Sequence, residues 1–155
     1  MQDKEHIREI AGGYIADSDL FIVDVKVSST SRITVIIDKS SGSVTVSECA
    51  LLSRHIEEHL DRDKEDFELQ VSSPGLEMPF LVHEQYIKNE GRDVEVIGKD
   101  GIKRKGVLKN VTPGGFEIEY TATKKVKGKG KERVTEDISY NFDEVKGVRA
   151  VVKFK

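Results

Sequence analysis

Tryptophan is absent from this chain, and its 155 residues hold one cysteine, Cys49, and three prolines. A lone thiol excludes an internal disulfide and a thiolate metal cluster, and it suits a reducing compartment, so a cytoplasmic location is expected. Cys49 falls in a predicted helix and reads as a small buried hydrophobe. Aromatic residues make up only 6% of the sequence, which leaves few rings for stacking bases. Long apolar runs are missing as well. Stretches such as Leu20-Phe21-Ile22-Val23 are far too short to cross a bilayer, and the N-terminus lacks the basic-then-apolar pattern of a signal peptide, so no membrane partner is expected.

Charge is abundant instead, and it is unevenly placed. Charged residues make up 34% of the chain against 37% hydrophobic ones, enough apolar surface for one ordinary domain or two small ones. The net charge of -3 conceals two halves of opposite sign. Residues 1–82 carry 8 Lys and Arg against 16 Asp and Glu, a net -8, whereas residues 83–155 carry 17 against 12, a net +5. A basic half can neutralise phosphates, while an acidic half repels nucleic acid and suits a basic protein. Asp24, Asp38, Asp61 and Asp63 are candidate contacts for such a partner.

The periodicity predicts an α+β chain of two domains, 1–82 and 83–155, joined by a short linker near 80–92. Ile7, Ile10, Ala11 and Tyr14 recur at helical spacing over about 4–15. Residues 20–27 and 33–38 are β-branched runs separated by Ser28-Ser29-Thr30-Ser31, which predicts a hairpin. Thr45 and Glu48 have capping-box spacing, and Val44 and Cys49 can act as a hydrophobic staple. A helix is therefore expected over about 46–60, with Cys49, Leu52, Ile56 and Leu60 on its core face. Phe67, Leu69 and Val71 alternate with polar residues, completing an α-β-β-α-β layer. One or two helical turns ending in a glycine cap are expected over 83–91. Five short strands follow, near 93–97, 103–110, 116–121, 133–142 and 148–152, and suggest a small barrel with a single helical turn at 143–147.

After Val71 the strand breaks off at Ser72-Ser73-Pro74-Gly75. Proline presets φ and glycine accepts φ > 0, which is what a type II turn requires at its central positions. Val71-Ser72-Ser73-Pro74-Gly75-Leu76, with Pro79 beyond it, resembles the strand-turn signature of the bacterial ribosome maturation factor RimP family. Ile37-Asp38, Gly42 and the run from Val44 to Cys49 resemble that family's strand, turn and helix start, and Ser53-Arg54-His55-Ile56 with Leu60-Asp61 its second helix. Gly91 to Val96, Gly106-Val107-Leu108 and Ile138 to Phe142 fall where its second domain has strands. The likeness covers roughly residues 5–152. Many members have an acid then a basic residue after the turn, where this chain has Glu77 and Met78. The resemblance implies an SH3-like (Sm-like) barrel as the second domain. It also implies a non-enzymatic factor for assembly of the small (30S) ribosomal subunit, acting without a cofactor. Its expected partners are the free small subunit, rRNA and a basic small-subunit ribosomal protein, and it is expected to act as a monomer. The turn Ser72, Ser73, Pro74, Gly75 then becomes an interdomain element and a possible partner contact.

Other chemistries are weakly signalled. His55-Ile56-Glu57-Glu58-His59 matches H-x-x-E-H, with two imidazoles at i and i+4 able to meet one metal. A metal hydrolase built on them would need a third ligand and a cleft, and nothing in the sequence marks either. His6 and His83 have no partner spacing. Ser72 and Ser73 lack the G-x-S-x-G elbow, and Gly128-Lys129-Gly130-Lys131 lacks the Walker spacing. Residues 124–133 form the strongest patch: Lys124, Lys125, Lys127, Lys129, Lys131 and Arg133 against Glu132. Two glycines there forbid a stable helix, so a mobile basic hairpin loop that follows RNA phosphates is expected. A general RNA-binding module of the same fold is the alternative reading.

Overall fold

The computed structural model describes residues 3–61, 66–75, 78–126, 128 and 130–151, with only the backbone described for 123–126. The chain divides into two units, Met1–Gly75 and Leu76–Lys155.

In the first unit, helix α1 (Lys4–Ile15) starts at Asp3, whose carboxylate accepts the Glu5 N–H at 3.0 Å. Ile7, Ala11 and Ile15 form its buried row. Tyr14, expected on that face, is 43% exposed, because the i, i+4 row from Ile7 reaches Ile15 and leaves Tyr14 at its flank. Strands β1 (Leu20–Val27) and β2 (Arg32–Lys39) pair as an antiparallel hairpin, and β3 (Glu68–Ser72) adds parallel to β2. Helix α2 (Val46–Glu58) supplies the crossover that parallel strands need. It opens with the expected capping box: Thr45 Oγ1 accepts from Glu48 N at 3.1 Å, and Thr45 N donates to Glu48 Oε1 at 3.0 Å. Such a cap contributes about 1 kcal/mol. The Thr45 N–H, followed by Lys39 at 3.2 Å, holds the Glu48 carboxyl below its ordinary range. The ionised half of the box therefore persists to lower pH than an ordinary glutamate would, and is lost only as pH falls through that depressed value.

Ile7, Ala11 and Ile15 of α1, Leu52 and Ile56 of α2, and Val25, Ile33, Val35, Ile37 and Phe67 make one core, with Val44, Cys49 and Leu60 packed at its margin. Burial pushes the Cys49 thiol up, which keeps it an inert apolar group.

The second unit carries α3 (His83–Lys88) and five strands: β4 (Asp93–Gly98), β5 (Lys103–Lys109), β6 (Gly115–Val126), β7 (Gly130–Asn141) and β8 (Val145–Ala150). Gly91, at φ +84, turns the chain from α3 into β4. A 3-10 turn, Phe142–Glu144, precedes β8; it is shorter than the turn expected over 143–147, whose last three residues open the strand instead. Val94, Val96, Leu108, Phe116, Ile118, Tyr140 and Val148 form the core with Tyr86 of α3. The expected barrel does not close. The strands form an open antiparallel sheet in the order β7-β6-β5-β4-β8, and among the described residues no ladder joins β7 to β8. The 3-10 turn delivers the six-residue β8 to the free edge of β4, while β7 is paired with β6 along its whole length. Both strands thus use one edge on another partner. The open edge of β7 carries Lys131, Arg133, Glu132 and Glu136, charges that discourage edge-to-edge pairing.

Candidate nucleic-acid interface

The basic stretch is a β-ribbon, not the expected loop. Pairing of β6 with β5 runs from Lys109↔Glu117 to Gly106↔Tyr120, whereas pairing of β6 with β7 continues to Val126↔Gly130. Residues 121–126 and 130–135 therefore extend past β5 as a two-stranded arm, about 20 Å long at the usual strand rise. Only three residues connect the strands at its tip, where Gly128 and Gly130 take φ +82 and +78, a conformation that L side chains resist. Lys124 lies opposite Glu132, Lys125 opposite Lys131, and Arg133 opposite Thr123. Lys127 and Lys129 fall outside the described residues.

Alternation along β7 sorts its charges. Ile138 packs against the core and Tyr140 lies within it, so the even-numbered residues Glu132, Val134 and Glu136 belong to the core-side face. Lys131, Arg133 and Thr135 belong to the outward face, where all three are exposed. Next to them the Thr121 and Thr135 hydroxyls share a hydrogen bond of 3.2 Å. At the base of the ribbon, Lys109 Nζ lies 2.6 Å from Asp137. That contact, with Glu119 and Glu117 nearby, raises the lysine's pKa. The outward face is therefore basic toward the tip and acid-rich at the base. Sequence reading missed this division because it started the strand at Arg133; a strand from Gly130 makes the alternation legible.

The remaining described candidates belong to the first unit. Ser72 closes β3 opposite Ile36, and Ser73, Pro74 and Gly75 follow outside regular structure. Gly75 does not have positive φ, so the type II turn is not formed, and an added Cβ there would meet nothing within 4 Å. Gly75→Val is accordingly expected to change stability by no more than about 0.5 kcal/mol in a thermal melt, whereas a left-handed glycine would cost about 1–3 kcal/mol. Asp24 and Asp38 share the face of the first sheet opposite its helices, since their neighbours Val25 and Ile37 point into the helix-side core. Asp24 Oδ1 accepts the Val25 N–H at 2.9 Å, and Asp38 Oδ1 accepts the Lys39 N–H at 2.8 Å. Asp61 lies beyond α2, and Asp63 falls outside the described residues.

His55 and His59 are engaged with neighbours. The His55 ring stacks on Tyr14 at 4.5 Å and lies 4.3 Å from the His59 ring, whose Nδ1 donates to the His55 carbonyl at 2.8 Å. Among the described residues no group of three His, Cys, Asp or Glu is arranged to hold a metal, so the pair has no third ligand there. No helix among those residues is long and apolar enough to cross a membrane.

Residues 10–77 match the family model of the RimP N-terminal domain. A ribosome maturation factor RimP of Porphyromonas gingivalis (strain ATCC 33277) is 35% identical over 147 residues, spanning 94% of this chain and 96% of that protein. The chain belongs to the RimP family. A RimP of Christiangramia forsetii is 29% identical over 153 residues, covering 97% of this chain and 99% of its own length. One of Flavobacterium psychrophilum is 32% identical over 145 residues, covering 90% and 92%. The segment 72–75 falls inside the RimP N-terminal model, whereas the ribbon falls outside it, in the part that the RimP relatives cover.

Proposed function

We propose that this protein is a non-enzymatic ribosome maturation factor that acts as a cytoplasmic monomer on the free small subunit. The basic ribbon holds rRNA phosphates, and the acidic first unit, through carboxylates such as Asp24 and Asp38, receives a basic small-subunit protein. The observation that carries this reading is the exposed pair Lys131 and Arg133 on one row of β7, in a chain whose relatives are named as ribosome maturation factors along nearly its whole length. A factor of this kind shifts particle folding only by its differential affinity for one state. Bound to immature particles, it therefore favours a productive conformation, and it leaves before translation.

Co-sedimentation tests the reading. The protein is expected to pellet with free small subunits and weakly or not at all with large subunits or assembled ribosomes, and to dissociate as salt rises. Equal occupancy of all particles would indicate a general RNA-binding module, and no binding to small subunits would end the assembly reading.

A further inference from the structure

We propose that the distal part of the β6–β7 ribbon docks the sugar-phosphate backbone of a double-stranded, A-form RNA helix through its outward face. Lys131 and Arg133 take phosphates, and the Thr121–Thr135 hydroxyl pair bounds the footprint. The inference rests on the reading that the protein binds rRNA, and it names the RNA class. Three observations carry it.

The first is the one-sidedness of the charge. Lys131 and Arg133 stand two residues apart on the outward row, about 6.6–6.8 Å at strand rise, while Glu132 and Glu136 occupy the core-side row. Along β7 the cations and the acids therefore fall on opposite faces, while the register sets Lys124 of β6 opposite Glu132. The second is the absence of rings on that face. Phe116 and Tyr140 stack on each other at 5.4 Å inside the core, and Tyr120 packs against the same core. Unpaired RNA is held by stacking on exposed aromatics, whereas A-form duplexes are recognised by shape, through phosphates and 2′-hydroxyls across a wide, shallow minor groove. Cations beside a hydroxyl pair match the second mode. The third is the acid-rich base. Asp137, Glu117 and Glu119 surround Lys109, so a helix lying along the sheet would bring phosphates onto carboxylates. The duplex therefore crosses the ribbon at Lys131 and Arg133, beyond that base.

The test is binding of the full-length protein, followed by fluorescence anisotropy over a range of salt, to a short RNA duplex, to one of its strands alone and to a DNA duplex of the same sequence. The RNA duplex is expected to bind tightest. Lys131→Glu with Arg133→Glu should lose at least roughly 30-fold in affinity near 0.15 M salt, the loss of two phosphate contacts before any repulsion is added, and reduce the salt slope by about 1.4–1.8. Lys4→Glu with Arg54→Glu makes the same change in net charge on the helices of the first unit and should lose little. Equal loss in both pairs would reduce the effect to net charge and overturn the proposal. So would tighter binding of the single strand, or equal binding of the DNA duplex. If the duplex fails to bind while small subunits still do, the inference falls and the functional reading stands; if both fail, the reading itself falls.

Discussion

Replacing Lys124, Lys125, Lys127, Lys129 and Lys131 with serine is expected to weaken binding to free small subunits by up to three orders of magnitude while leaving the melting temperature nearly unchanged. Each cation that neutralises a phosphate releases counterions, and at about 0.15 M salt this is worth roughly fivefold in affinity per contact. Five contacts would multiply to the order of 10³. Two would leave about 30-fold, so the size of the loss counts the lysines that touch RNA. The slope of log K against log salt should become shallower by about 0.7–0.9 for each contact removed, which provides an independent count. Stability should not follow, because the described backbone at 124, 125 and 131 lies past the last β5 pairing and Lys131 is exposed. An unchanged affinity and an unchanged slope would show that the ribbon is only solvated. The binding surface would then move to the acidic first unit or to Ser72–Gly75.

The first unit was legible almost residue by residue, because its signals are local. Helix α1 begins and ends where its periodicity places it, and the Thr45–Glu48 box fixes the start of α2. Alternation in Phe67-Glu68-Leu69-Gln70-Val71 identifies β3 to within one residue at each end. Backbone conformation at Ser73-Pro74-Gly75 was not legible. Residue types permit a type II turn without requiring it, and an open environment around Gly75 lets that residue take an ordinary conformation.

In the second unit, strand existence was legible but strand length and closure were not. Lysines and glycines in 124–133 have weak strand propensity, so the segment reads as a loop, yet the ladder to β7 holds β6 extended through Val126. Cross-strand pairing is a property of two segments together and leaves no mark in either alone. Closure failed for the same reason, since nothing in β8 reveals which free edge it will take. For the candidate site, the sequence supplied the cations and the glycines that turn the tip. The division into a basic outward row and an acidic core-side row appears only with the register.

Adding one methyl group at Gly106 or Gly115 is expected to destabilise the second unit by about 2–4 kcal/mol, more than any surface substitution. Neither glycine is there for positive φ. Gly106 lies in β5 between Val94 and Tyr120, and a Cβ on it would approach the Glu119 carbonyl oxygen to 2.6 Å and the Ile118 Cβ to 3.2 Å. At Gly115 the added carbon would run into the Tyr140 carbonyl oxygen, with Asn141 Cα 3.1 Å away. Both obstacles include the backbone of the paired strand, which cannot retreat without giving up ladder hydrogen bonds, so strain cannot be relieved by a rotamer change. For a unit of this size the melting transition should fall by roughly 10–20 °C. Gly13→Ala supplies a contrast of opposite sign. It lies in α1 with nothing within 4 Å of the new Cβ, and alanine in a helix interior is favoured over glycine by about 0.5–1 kcal/mol, so the first unit should gain stability. Thermal melts of Gly106→Ala, Gly115→Ala and Gly13→Ala, read by amide exchange in each unit, would decide the matter. If the two strand variants melt with the parent protein, the β5–β6 and β6–β7 pairings do not have these close registers, and the ribbon that depends on them does not form as a continuous ladder.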